Sequence, residues 1–166
     1  MVKMRRVTAQ DIALAGSLED LIKKLVDSIR TGTMDAKESG AMKLRSLTDQ
    51  SPENVQMIAE AGAIKPLVSI VANGNSMAQA HACVALSKIA NERPKYQASM
   101  EEAGAVVPLT NVLRMGDSAL QEQAAAAIAS ISQLESSRVP FVKAGAIPPL
   151  VGLLKGGSAD THVHIC

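Results

Sequence analysis

The residues best suited to chemistry stand at the end of the chain. His162-Val-His164-Ile-Cys166 sets two imidazoles and a thiol at alternate positions. In an extended segment all three would point to one side, as metal ligands do. No fourth ligand stands nearby and no glycine turn shapes a site, so the tail reads as a truncated helix start and no metal site is expected. His81 lies two positions before Cys83 in a helical pattern, and side chains two apart on a helix do not face each other. Cys83 reads as a small buried core residue. Neither Gly-x-Ser-x-Gly nor Ser-x-x-Lys occurs, so no hydrolytic nucleophile is indicated. Gly156-Gly157 is a helix-ending turn, because no Gly-Lys-Ser/Thr follows to cradle a phosphate. The acidic neighbours Glu19/Asp20 and Glu101/Glu102 diverge on a helix and make no acid/base pair. The expectation is a chain with no catalytic residue and no cofactor.

Composition narrows the fold. Of 166 residues, 47% are apolar but only 1% aromatic: Tyr96, Phe141 and no Trp. A core made of Ala, Leu, Ile, Val and Met suits closely approaching helices rather than strands. It offers no aromatic platform for stacking bases. The net charge is +1 with no basic patch beyond the terminal Lys3, Arg5 and Arg6, so no nucleic-acid partner is expected. No segment approaches the ~18 apolar residues of a membrane span, and no membrane insertion is expected. Two distant cysteines, Cys83 and Cys166, do not form a disulfide framework; a reducing compartment follows, cytoplasmic or else nuclear.

The elements that position these residues repeat. Glu60-Ala-Gly-Ala-Ile-Lys-Pro-Leu-Val, Glu102-Ala-Gly-Ala-Val-Val-Pro-Leu-Thr and Lys143-Ala-Gly-Ala-Ile-Pro-Pro-Leu-Val align, with Gly62, Gly104 and Gly145 separated by 42 and 41 residues. Gly32, Gly74, Gly116 and Gly157 keep the same period, as do Leu44/Leu47, Leu86/Ile89 and Ile128/Ile131.

Each unit reads as three helices. Ser51-Pro52 opens a short one, which Gly62 closes in a left-handed turn. Pro66 fits the first turn of a second helix bearing Leu67, Val68 and Val71 and ending at Gly74. A third, longer helix starts at Ser76 with Gln79 as a capping box, and Ser118 with Gln121 repeats the device. It buries Ala82, Leu86, Ile89 and Ala90. Gly40, Ala82 and Ala124 share one position, expected where the third helix crosses its neighbour. Ser17 with Asp20 is expected to cap a longer first helix reaching about Arg30, and Thr8 with Asp11 a short one before it. The division is one domain, 1–166: an atypical unit at 1–50, repeats at 51–92 and 93–134, and an incomplete one at 135–166.

The Ala-Gly-Ala-Ile-x-Pro-Leu-Val segment, then Gly, then an Ala-rich helix resembles the armadillo repeat. The resemblance implies an all-α, right-handed α-α superhelix whose third helices line a concave groove. In several members, importin-α above all, that helix carries Trp-x-x-x-Asn, whose Asn side chains clamp a peptide backbone. Here the Trp positions hold Met42, Val84 and Ala126, and the Asn positions hold Ser46, Lys88 and Ser130. Neither ladder is present, so recognition of nuclear signals is not implied. One turn back stand Ser39, His81 and Gln123. The resulting face is small, weakly polar and nearly uncharged apart from Lys88.

The fourth unit includes Ile147, Leu150, Val151, Leu153 and Leu154, but its third-helix Leu/Ile pair would fall near 169 and 172, past the last residue. A fragment, or an end covered by another chain, is the expectation. The leading functional reading is a non-enzymatic module binding an extended peptide or partner helix in the groove. Two alternatives remain. One is the substrate-recognition segment of a larger U-box-type ubiquitin ligase. The other is a structural element that self-associates through its uncapped C-terminal end.

Overall fold

The structure, a computed structural model, describes residues 9–156. They form ten helices, first a pair, then two triplets, then a pair. The first pair is α1 (Ala9–Thr31) and α2 (Met34–Thr48). The triplets are α3 (Pro52–Glu60), α4 (Ile64–Asn73) and α5 (Ser76–Glu92), then α6 (Pro94–Glu102), α7 (Val106–Met115) and α8 (Ser118–Ile131). Last come α9 (Glu135–Lys143) and α10 (Ile147–Gly156).

Local chemistry sets the breaks. Ser51 accepts the Asn54 N–H at 3.2 Å, and Pro52 takes the first helical position. At the other end Gly62 turns left-handed with φ 82°. Its N–H donates to Ala59 O at 3.0 Å and that of Ala63 to Ile58 O at 3.3 Å. This double bond to the last carbonyls recurs at Gly104 and Gly145, and a buried pair closes each turn: Ile58/Ala63, Met100/Ala105, Phe141/Ala146. Across the break α3 and α4 are bent by 85°.

Two expectations about caps are corrected. The third helices do begin at Ser76 and Ser118, but the capping side chains stand one residue earlier. Asn75 accepts the Ala78 N–H and Asp117 that of Leu120, both at 2.9 Å. Gln79 instead donates to Val71 O at 2.9 Å, so no capping box forms there. Asn and Asp in extended backbone reach the third N–H without help, which leaves Ser76 free to enter the helix. Ser17 caps nothing either: it lies inside the 23-residue α1, because nothing in that stretch breaks the helical run. Thr8 lies outside the described residues.

Packing runs in two layers. α2, α5 and α8 lie side by side; α1, α4, α7 and α10 form the second row; α3, α6 and α9 join them at one edge. Leu44, Leu47, Leu86, Ile89, Ile128 and Ile131 are all buried between the rows. Each such side chain contributes roughly 1.5–3 kcal/mol of burial. Gly40 lets α2 approach α1: a Cβ there would stand 2.5 Å from Ile29 Cγ2. Ala82 and Ala124 are fully buried at the corresponding places. Neighbouring units are also tied through backbone. Asn54 donates to Leu47 O at 3.1 Å, and Gln97 to Ala90 O at 3.0 Å. Among the described residues no single helix is long and apolar enough to cross a membrane.

Candidate interaction face

The nine positions singled out in sequence all fall on α2, α5 and α8, in three rows. Their side chains are not equivalent. Met42 (48% exposed), Ser46 and Lys88 are exposed. Ser39, Val84, Gln123 and Ala126 are half-buried. His81 and Ser130 are buried, each turned into a junction between helices.

Hydrogen bonds run across the face from helix to helix. Arg45 on α2 donates to His81 Nδ1 on α5 at 3.2 Å. Lys88 Nζ lies 3.2 Å from Asp49 Oδ1 at the end of α2. Ser130 donates to Ala126 O at 3.0 Å, so Ser87 is the donor in its 2.8 Å bond to the Ser130 hydroxyl. Gln133 donates to Asn91 Oδ1 at 3.0 Å. Near the other end of the same helices, Asn75 donates to Glu38 Oε2 at 2.7 Å.

These partners make the face more charged than the sequence reading allowed, and more self-satisfied. Asp49, Asn91 and Gln133 form a further row three residues beyond Ser46, Lys88 and Ser130. The repeat period alone would have found it, had the rows been extended by one turn. Arg45 carries no such signal, since Ser87 and Ala129 hold its equivalent positions.

A depression of about 300 Å³ adjoins Lys88, bounded by Thr48, Asp49, Pro52, Val55, Asn91 and Glu92. Burial, then the Arg45 guanidinium, hold the His81 imidazole below its usual value, while Glu38 acts against them. The neutral ring is what the Arg45 bond requires. Cys83 is fully buried, and burial alone raises its thiol to about 12, so it remains protonated and unreactive.

Two other depressions lie off this face. One of about 410 Å³ separates α4 from α7 and is lined by Ala72, Gln79, Val107, Asn111 and Met115. The other, about 330 Å³, is apolar, between α8, α9 and α10, with Ile128, Phe141, Ile147 and Leu150 in its wall. Of the five apolar residues expected at this end, Leu153 is buried, Leu150 and Leu154 half-buried, and Ile147 and Val151 exposed. His162, His164 and Cys166 lie outside the described residues. Among the described residues no three His, Cys, Asp or Glu side chains cluster to hold a metal ion.

Residues 51–91 match the Armadillo/beta-catenin-like repeat. Comparison with the curated proteins gives no match. Among solved structures, a designed armadillo repeat protein in complex with the peptide (KR)4 superposes with a TM-score of 0.78 at 25% identity, over 94% of this chain and 64% of its own. A second designed armadillo repeat protein gives 0.79 at 26% identity, with the same coverage of 94% and 64%. A computationally designed armadillo repeat protein for modular peptide recognition gives 0.77 at 27%, over 87% of this chain and 61% of its own. The chain thus spans about three-fifths of the length of these structures. Its ten described helices form the same right-handed α-α superhelix.

Proposed function

Taking this chain as the armadillo-repeat protein that its repeat and its fold make it, we propose that the α2–α5–α8 face binds an extended peptide or a partner helix and performs no catalysis. One observation carries the reading. The face presents Met42, Ser46 and Lys88 to solvent as a strip, with an open depression of about 300 Å³ beside Lys88. The peptide complex of the designed relative supports it by analogy. The strip lacks Trp, Tyr and Phe, so binding rests on hydrogen bonds and shape rather than on aromatic anchors. Glu38 and Asp49 balance Arg45 and Lys88, which favours a ligand of mixed charge over a strongly basic one.

The experiment is a displayed peptide library selected on the whole chain, with Met42→Asp/Lys88→Glu as counter-selection. Peptides that bind the wild type and lose affinity tenfold or more on the double variant, at unchanged helicity by circular dichroism, support the face. Peptides that bind both equally overturn it.

Self-association is a second reading, carried by the apolar depression between α8 and α10 and by Val142 and Ile147, 56% and 49% exposed. Sedimentation equilibrium of Val142→Asp/Ile147→Asp against wild type tests it. A wild type that remains monomeric at high concentration rejects it.

A further inference from the structure

The α2–α5 junction is closed by an imidazole that acts as an acceptor. Arg45 Nη1 lies 3.2 Å from His81 Nδ1. A guanidinium has donors only, so Nδ1 must hold the lone pair and the ring proton must sit on Nε2. The residue as a whole is 9% exposed, and the bond is part-buried.

We propose that this bond is a proton-operated latch: neutral His81 holds Arg45 across the junction, and protonated His81 releases it. A proton added at Nδ1 forms an N–H where the lone pair had accepted. Two donors, each carrying positive charge, then face one another. Flipping the ring does not help, because the imidazolium donates from both nitrogens. Release is the remaining outcome, and it turns a second positive charge loose beside Met42 and Ser46.

The neighbouring charges favour the neutral ring. On α2, Arg45 opposes protonation and Glu38 favours it, and burial adds to the effect of Arg45. Glu38 accepts from Asn75 at 2.7 Å, which fixes its carboxylate at the far end of the same junction. The charged side chain of α8 is Glu122. Those of α3, α4 and α6 are Glu53, Glu60, Lys65, Lys95, Glu101 and Glu102, and none of them is among the groups that shift the ring. The native state therefore binds the proton less tightly than the unfolded chain does. The latch contributes fully above the ordinary value of 6.5 and is lost as pH falls through the lower native value.

The latch rests on the junction alone, whatever the face binds, so its test uses no ligand. Amide hydrogen exchange of the full chain is compared about one pH unit above 6.5 and about one unit below the His81 midpoint read by NMR, after correction for intrinsic rates. In the wild type, protection of α2 is expected to fall several-fold relative to α8 at the lower pH. His81→Gln keeps an acceptor that does not titrate, so its α2 protection should hold. Arg45→Met should raise the NMR titration midpoint of His81. The latch is overturned if His81→Gln loses protection in step with the wild type. It is equally overturned if native His81 titrates at or above 6.5, or does not move in Arg45→Met.

Discussion

Lys88 Nζ and Asp49 Oδ1 lie 3.2 Å apart across the α2–α5 junction, both side chains 49% exposed. The exposed cation of the strip is thus held by the preceding unit, though only loosely. An ion pair this open to water contributes little, about 0–1 kcal/mol. A ligand carboxylate could take Lys88 over without loosening the fold.

Lys88→Glu should accordingly lower the unfolding free energy by no more than about 1 kcal/mol, with the loss shrinking in added salt. Urea denaturation at two salt concentrations measures both effects. A salt-insensitive loss of about 3 kcal/mol or more would show that the pair is a structural strut.

Two helical glycines should respond oppositely to alanine. Gly40 has Ile29 Cγ2 only 2.5 Å from where a Cβ would stand, so Gly40→Ala should overpack α1 against α2 and cost about 1–3 kcal/mol. Gly152, inside α10, has nothing within 4 Å, so Gly152→Ala should stabilise by about 0.5–1 kcal/mol through helix propensity. Opposite shifts in the urea midpoint are expected, and shifts of like sign would contradict this account of Gly40.

Arg30, Ala72 and Arg114 share one repeat position at the ends of α1, α4 and α7. Arg114 donates to Ala144 O at 3.3 Å, capping the short helix of the next unit, and Arg30 Nη2 stands 3.9 Å from where a Gly62 Cβ would lie. Among the described residues no side chain comes within 4 Å of the corresponding place at Gly104, where the partner position is Ala72. Ala72→Arg should supply the missing cation to the C-terminal end of α6 and gain about 0.3–1 kcal/mol. A rise in melting temperature checks it; a fall would mean that the depression between α4 and α7 cannot admit the side chain.

Tyr96 is buried, with its ring under the Lys95 ammonium at 4.8 Å, and its hydroxyl finds no partner among the described residues. Tyr96→Phe removes that hydroxyl and keeps the ring. Stability should stay level or rise by about 1 kcal/mol. A clear drop in the melting temperature would reveal a hydrogen bond at that oxygen.

Some features were legible because each is written by residues that recur with period 42 or 41. Pro52, the Gly62 series and the Leu86/Ile89 pairs have strong local meaning, and all of them sit in the structure where the pattern places them. The true caps were hidden by variety. Thr33, Asn75 and Asp117 do one job with three chemistries, while Ser76 and Ser118 repeat visibly and cap nothing. The bonds across the face were hidden for the same reason. Arg45 with His81 and Ser87 with Ser130 join unlike positions of adjacent units, and each pair is decided by which side chain can reach. The long α1 differs again: its end near Arg30 keeps the repeat register of α4 and α7, but its extra N-terminal turns have no counterpart in the later units, so the repeat says nothing about where it starts.

The left-handed turns at Gly62, Gly104 and Gly145 satisfy the last carbonyls of each short helix from within its own unit. A duplicated or deleted unit would therefore carry the end of its short helix with it already bonded, leaving only contacts such as Asn54 to Leu47 O and Gln97 to Ala90 O to be remade at the seam. Seen as heredity rather than packing, this turn is what lets such a chain grow or shrink by whole units and still fold.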